Sequence, residues 1–140
     1  MKRYLIIATL FLGACTSFMG KTNYVPTGPQ DLSRQVQDAK NMPVFSGPVD
    51  IPSSRIGFYQ VQKLPNDQKV IKKEVEKMKE FAAKRGADAI ILRQYTNEDD
   101  AAYPVNLSSY FLKYLENMTP EDEQKIIDFI NTSVVSGDDR

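Results

Sequence analysis

NDQKVIKKEVEKMKEFAAKRGADAIIL, residues 66–92, is the stretch that sets the architecture of this chain. Asp67 stands where an N-cap belongs, its carboxylate able to accept from the first free backbone N–H groups of a helix. From Gln68 to Arg85 the apolar residues Ile71, Val75, Met78 and Ala82 recur at helical spacing, and Phe81 widens the stripe. The opposite face carries Lys72, Lys73, Glu76, Lys79, Glu80 and Lys84, with Glu76–Lys79 and Glu80–Lys84 spaced for ion pairs along a solvated surface. Gly86 follows as the residue free to take positive φ and stop the helix. The alanines at 87 and 89 permit close helix–sheet packing, and Asp88 can cap local backbone N–H groups. Ala89–Leu92 is an apolar run of strand length that continues to Tyr95.

On the N-terminal side, Met42–Phe45 reads as a short strand before the turn signal Ser46-Gly47-Pro48. After Pro52, residues Arg55–Gln62 carry Ile56 and Phe58 on one parity and Tyr59 and Val61 on the other, a strand composition. Leu64-Pro65-Asn66-Asp67 breaks it. On the C-terminal side, Thr96–Pro104 is a surface loop. Ser108–Leu115 favours a strand through Tyr110, Phe111, Leu112, Tyr114 and Leu115, with a helix as the alternative. Thr119-Pro120-Glu121-Asp122 starts a second helix, by a capping threonine, a first-turn proline and acids at the positive end of the dipole. That helix is expected to run to about Val134 with Ile126, Ile127, Ile130 and Val134 inward, leaving 136–140 as a disordered tail. No internal repeat is visible.

The N-terminus has a different character. Lys2-Arg3 precedes the apolar run Tyr4–Leu12, which is too short to span a bilayer and reads as a secretory signal. It ends in Leu12-Gly13-Ala14-Cys15, with the only cysteine of the chain last. These four residues resemble the lipobox of bacterial lipoproteins. The resemblance implies cleavage between Ala14 and Cys15, a diacylglycerol on the Cys15 sulfur, and acylation of the new amino group. Several buried acyl chains, at ~0.8 kcal/mol per CH₂, make such an anchor stable. Thr16 after the cysteine, in place of an aspartate, implies sorting to the outer membrane. Loss of residues 1–14 removes two basic and no acidic residues from a chain of balanced charge, leaving a slight acidic excess. Nothing in that balance suggests nucleic acid. A single acylated cysteine leaves no disulfide, so the core alone must hold the fold. Residues 15–41 are polar, with Gly20, Pro26, Gly28 and Pro29. They are expected to form a flexible tether spanning ~25–30 Å, ahead of one domain at residues 42–135.

Ile56-Gly57, a helix, and then Arg85-Gly86-Ala87-Asp88-Ala89-Ile90-Ile91 resemble a strand–helix–strand module of small envelope lipoproteins and of the YbjQ-like heavy-metal-binding family. The match covers Val44 to Tyr95. It implies an α+β fold with the helix on one face of a small sheet, and it carries no established activity. The expected architecture is therefore α+β: a mixed sheet of about four strands, one long helix packed on it and a C-terminal helix. The metal assignment of that family transfers poorly, because the chain has no histidine and no free cysteine.

Residue chemistry narrows the function. Without histidine the commonest general base is missing. Ser53, Ser54, Ser108 and Ser109 lie in no nucleophile motif. Glu98, Asp99 and Asp100 lack the spacing and glycine of an EF-hand and read as a solvated loop. Glu121, Asp122 and Glu123 complement a helix dipole. Tyr59, Tyr95, Tyr103, Tyr110 and Tyr114 are read as core and sheet-surface packing, or as a face able to stack on sugar rings or a protein partner. The lysines at 72, 73, 77, 79 and 84, interleaved with Glu74, Glu76 and Glu80, read as a plain helix face rather than a lipid-binding one. Sequon-like triplets at Asn106, Asn117 and Asn131 carry no weight in a bacterial lipoprotein. No catalytic, cofactor-binding or metal-ligating residue is assigned; the one site is Cys15, for lipidation. The expectation is a non-enzymatic lipoprotein anchored in the outer membrane and facing the periplasm, with an envelope protein or glycan as partner. The alternative is a ligand- or metal-binding sensor domain of the envelope.

Overall fold

The computed structural model describes residues 21–36, 38–96 and 104–138. Its centre is a mixed five-stranded sheet. The strands are β1 (Lys21–Pro26), β2 (Val44–Phe45), β3 (Ser53–Leu64), β4 (Ala89–Thr96) and β5 (Val105–Tyr114), in the order β1-β3-β5-β4-β2. All neighbours pair antiparallel except β2, which runs parallel to β4. Helix α1 (Gln68–Lys84) covers one face, and helix α2 (Pro120–Asp138) follows β5 after a 3₁₀ turn. The fold is α+β. Its fifth strand is β1, beyond the four expected, and the segment at 108–115 is strand rather than helix, because its aromatic and β-branched positions sit between two pairing partners.

The period-two pattern of β5 explains the two faces. Leu107 and Phe111 point toward α1, where Ile71, Met78 and Ala82 meet them together with Tyr59, Val61 and Ile90. Tyr110 and Leu112 point the other way. Both ends of α1 follow from its sequence. The Asp67 carboxylate accepts from the Lys69 N–H at 2.9 Å. Gly86 takes φ +88°, and a Cβ there would lie 2.4 Å from the Leu32 carbonyl oxygen. Glycine is thus required twice, for the turn and for close approach of a second segment.

That second segment corrects the tether expected over residues 15–41. From Lys21 onward the chain belongs to the fold. Strand β1 pairs with β3 from Lys21↔Gln62 to Pro26↔Gly57. Tyr24 is its one half-buried residue; the ring lies 4.7 Å from Phe81 and 5.6 Å from Phe111. Gly57 makes room, since a Cβ there would collide with the Tyr24 hydroxyl. Leu32 and Met42 are buried in the same core, so the domain begins well before residue 42. An edge strand with one half-buried residue in six has no alternation to read, and Leu32, Val36, Ala39 and Met42 sit on a stretch that, among the described residues, is helical only in the 3₁₀ turn Ala39–Asn41.

Helix α2 also departs from expectation. It continues to Asp138, through part of the expected 136–140 tail. Ile126 packs against the core, but Ile127 and Ile130 are about half exposed; the Val134 side chain lies outside the described residues. The helix is tied down by its first turns, through Asp122 to Ser33 and Lys125 to Asp31, so the later isoleucines find no sheet to cover.

Candidate functional site

No helix covers the second face of the sheet among the described residues. The loop from Ser46 to Pro52 folds over part of it, with Phe45 and Val49 against Ala89, Ile91 and Leu112. The Leu115 N–H donates to the Pro52 carbonyl at 3.0 Å and fixes the end of that loop. A cleft of about 450 Å³ remains between loop and sheet, lined by Asp50, Arg55, Ile91, Arg93, Tyr110 and Leu112, among others. A second hollow of about 590 Å³ shares Gly47, Pro48 and Arg93 with it and ends at Tyr95. The two adjoin at Arg93, and together they make a trough that runs from the open face onto the edge of β4.

Backbone irregularity aims its first arginine. The β3–β5 register shifts between Arg55 and Gly57, so Ile56 is an extra residue on β3. Ile56 enters the helix-side core while Arg55, opposite Leu112, stays on the open face. The Arg55 guanidinium sits 4.3 Å from the Tyr110 ring centre, and Phe58 tilts against that ring at 5.0 Å. The cation–π contact is worth ~0.5–1 kcal/mol and holds the guanidinium in place. On β4, Arg93 and then Ser108 hydrogen-bond the Tyr95 phenol and hold its pKa below the ordinary 10.0. Among the described residues no carboxylate lies within ion-pairing distance of Arg55 or Arg93. The trough therefore presents two guanidinium groups with no carboxylate partner among the described residues, one carboxylate and an exposed tyrosine ring.

Of the tyrosines singled out in the sequence, the fold brings Tyr95, Tyr110 and Tyr114 to this face and sends Tyr59 to the core beneath α1. Burial, and then the nearby Glu74 charge, push the Tyr59 pKa up. Tyr103, the Glu98–Asp100 acids and Cys15 lie outside the described residues. Arg55, Arg93 and Asp50 were missed. Parity was a signal for Arg93 alone, which shares the open-face parity of Ile91 and Tyr95 on β4; Arg55 has the parity of the core residues Tyr59 and Val61, and only the bulge at Ile56, which the sequence does not announce, turns it to the open face.

The remaining candidates have structural partners. Asp122 is buried and does more than complement a dipole. It accepts from Thr119 N–H at 3.1 Å while its own N–H donates to Thr119 Oγ1, a reciprocal capping box. It also accepts from the Ser33 N–H at 2.9 Å and from the Ser33 hydroxyl. Lys113 is fully buried; its ammonium donates to the Ser33 carbonyl and lies 3.7 Å from Asp88, which accepts from the Tyr114 N–H at 2.8 Å. These groups form a clasp that fastens residues 27–36 over the end of the sheet. The Ser33 hydroxyl is engaged with Asp122, and Lys113 meets the Ser33 carbonyl, so the contact is not a serine–lysine nucleophile pair.

Lys79 is buried too, donating to the Lys40 carbonyl at 3.0 Å, whereas Lys72, Lys73, Lys77 and Lys84 are exposed. Ser109 is buried beneath α1. Asn106 accepts from the Lys63 N–H at 3.0 Å, where Lys63 takes φ +60° at a bulge; Asn117 lies in the 3₁₀ turn and Asn131 on α2. Among the described residues there is no cluster of three or more metal-ligating side chains, and no helix is long and apolar enough to cross a membrane.

No protein-family model and no curated protein matches the chain. Among solved structures it is similar to the Francisella virulence factor FvfA, at 20% identity and a TM-score of 0.48, over 65% of this chain and 95% of that one.

Proposed function

We propose that this chain is an outer-membrane lipoprotein without enzymatic activity, anchored through Cys15, whose domain binds another component of the cell envelope through the open sheet face. One observation supports the binding role: α1 seals one face of the sheet, while the other keeps two arginines without a carboxylate partner among the described residues, and the exposed Tyr95 ring, in a trough. Such solvated guanidiniums add nothing to a core, and they are suited to recognising an anionic partner. The anchor is supported by the resemblance of Leu12-Gly13-Ala14-Cys15 to a lipobox.

The register sets the trough's position relative to that anchor. Lys21, six residues after Cys15, pairs with Gln62 at one end of β3, and Arg55 lies seven residues away, about 23 Å along the strand at ~3.3 Å per residue. The chain from Cys15 to Lys21 reaches at most about 20 Å. A domain so moored stays near the bilayer, with the Tyr95 end of the trough on the side of the anchored strand end and the Arg55 end farther from it.

Two measurements test the reading. Wild-type protein is expected in the outer-membrane fraction, and Cys15→Ser protein is expected to leave it. A photo-crosslinking residue at position 95 is expected to capture a defined envelope component in cells. An unchanged distribution of the Cys15→Ser protein would remove the anchor, and the absence of any specific adduct would remove the binding role.

A further inference from the structure

Resting on that reading of the open face, we infer that the trough takes an acidic saccharide. Three features of the lining select this chemistry. Arg55 and Arg93 supply planar donor pairs that match a carboxylate or phosphate oxygen pair. Asp50, the carboxylate in the same cleft, repels a simple polyanion yet accepts hydrogen bonds, and a pyranose offers it adjacent hydroxyl pairs that span both carboxylate oxygens where a short acidic peptide offers single amide N–H groups. Tyr95 presents a half-exposed ring at the far end, a surface for the apolar face of a pyranose. The Tyr110 ring does not serve this purpose, because Arg55 already occupies its face.

Geometry favours an extended ligand. Arg55 lies opposite Leu112 and Arg93 opposite Ser108, on strands two sheet positions apart. Their backbones are thus separated by roughly 16 Å on the diagonal, from the usual rise and strand spacing. That span suits an oligosaccharide of two to three units better than one small anion. The span and the Tyr95 ring surface, which a lone phosphate headgroup would not use, favour a glycan over lipid headgroups.

The test uses the full-length lipidated protein in detergent micelles, titrated calorimetrically with trigalacturonate. Maltotriose, triglutamate and inorganic phosphate serve as comparison probes. Trigalacturonate is expected to bind saturably, with maltotriose, triglutamate and phosphate each about tenfold weaker or worse. Arg55→Gln and Arg93→Gln are each expected to weaken trigalacturonate about tenfold, the loss of one charge-assisted contact. Asp50→Asn separates recognition from a structural effect: it should weaken trigalacturonate and strengthen triglutamate.

Absence of trigalacturonate binding would overturn the inference, as would binding unchanged in both arginine variants, or triglutamate binding as tightly as the sugar. Melting curves identify any variant that does not fold, and the remaining two then decide. If trigalacturonate fails while the position-95 crosslinker still captures an envelope component, the ligand class falls and the binding face stands. If both fail, the face itself has been misread.

Discussion

Replacing Asp122 with Asn tests the clasp that makes residues 27–36 part of the domain. Asp122 is 2% exposed and accepts three hydrogen bonds, from the N–H and hydroxyl of Ser33 and the N–H of Thr119. Bonds to a charged acceptor contribute about 1.5–3 kcal/mol each when buried. Ser33 is half-buried and Thr119 exposed, so water recovers part of the loss, and Asn keeps one acceptor oxygen. The expected cost is about 2–3 kcal/mol at pH 7, a large share of the ~5–15 kcal/mol that holds a typical domain together.

The pH dependence supplies a second check. Burial alone would raise the Asp122 pKa, but the bonds from Ser33 and Thr119 outweigh it and hold the group below the ordinary 3.8. A depressed carboxylate contributes stability that is complete above its unfolded pKa and is lost as pH falls through the folded value. Wild-type stability should therefore fall on acidification below about pH 4, and the Asp122→Asn curve should be flatter there, the two converging in strong acid. Urea unfolding followed by circular dichroism from pH 7 to pH 2.5 measures both effects. A cost below about 0.5 kcal/mol, the range of a bland surface change, or parallel acid limbs, would refute the reasoning.

Other substitutions probe the same architecture. Gly86→Ala combines positive φ with a Cβ 2.4 Å from the Leu32 carbonyl and should cost about 3 kcal/mol in denaturant titration, whereas Gly47→Ala, with open space around it, should be near neutral. Lys113→Met strands Asp88 without its buried cation and should cost about 3 kcal/mol; adding Asp88→Asn should recover part of that loss in a double-mutant cycle. Ile127→Ser and Ile130→Ser should each change the midpoint by no more than about 0.5 kcal/mol, because neither side chain enters the core.

What the sequence disclosed follows from which signals are local. Asp67, the 68–85 stripe and Gly86 specify a helix and its two ends through neighbours within a few positions, and the structure places that helix within one residue of expectation. Strand β5 was legible through its aromatic content. The segment from Lys21 to Met42 was not, because Tyr24 stands alone on an edge strand and Leu32, Val36, Ala39 and Met42 acquire meaning only against the core they pack on. The same holds for Asp122, which read as a dipole partner until the fold brought Ser33 to it. On the open face the tyrosines were visible in the sequence, but the arginines beside them became a site only when the 46–52 loop closed one wall of the trough.

The account depends on the chain being moored by lipid, and the mass of the protein taken from native membranes tests this most directly. Sequencing of the N-terminal peptide by mass spectrometry should find a chain that starts at Cys15, with a diacylglyceryl thioether on sulfur and an acyl group on the terminal nitrogen. A retained Met1, a mature terminus at any other residue, or a Cys15 thiol without lipid would contradict it.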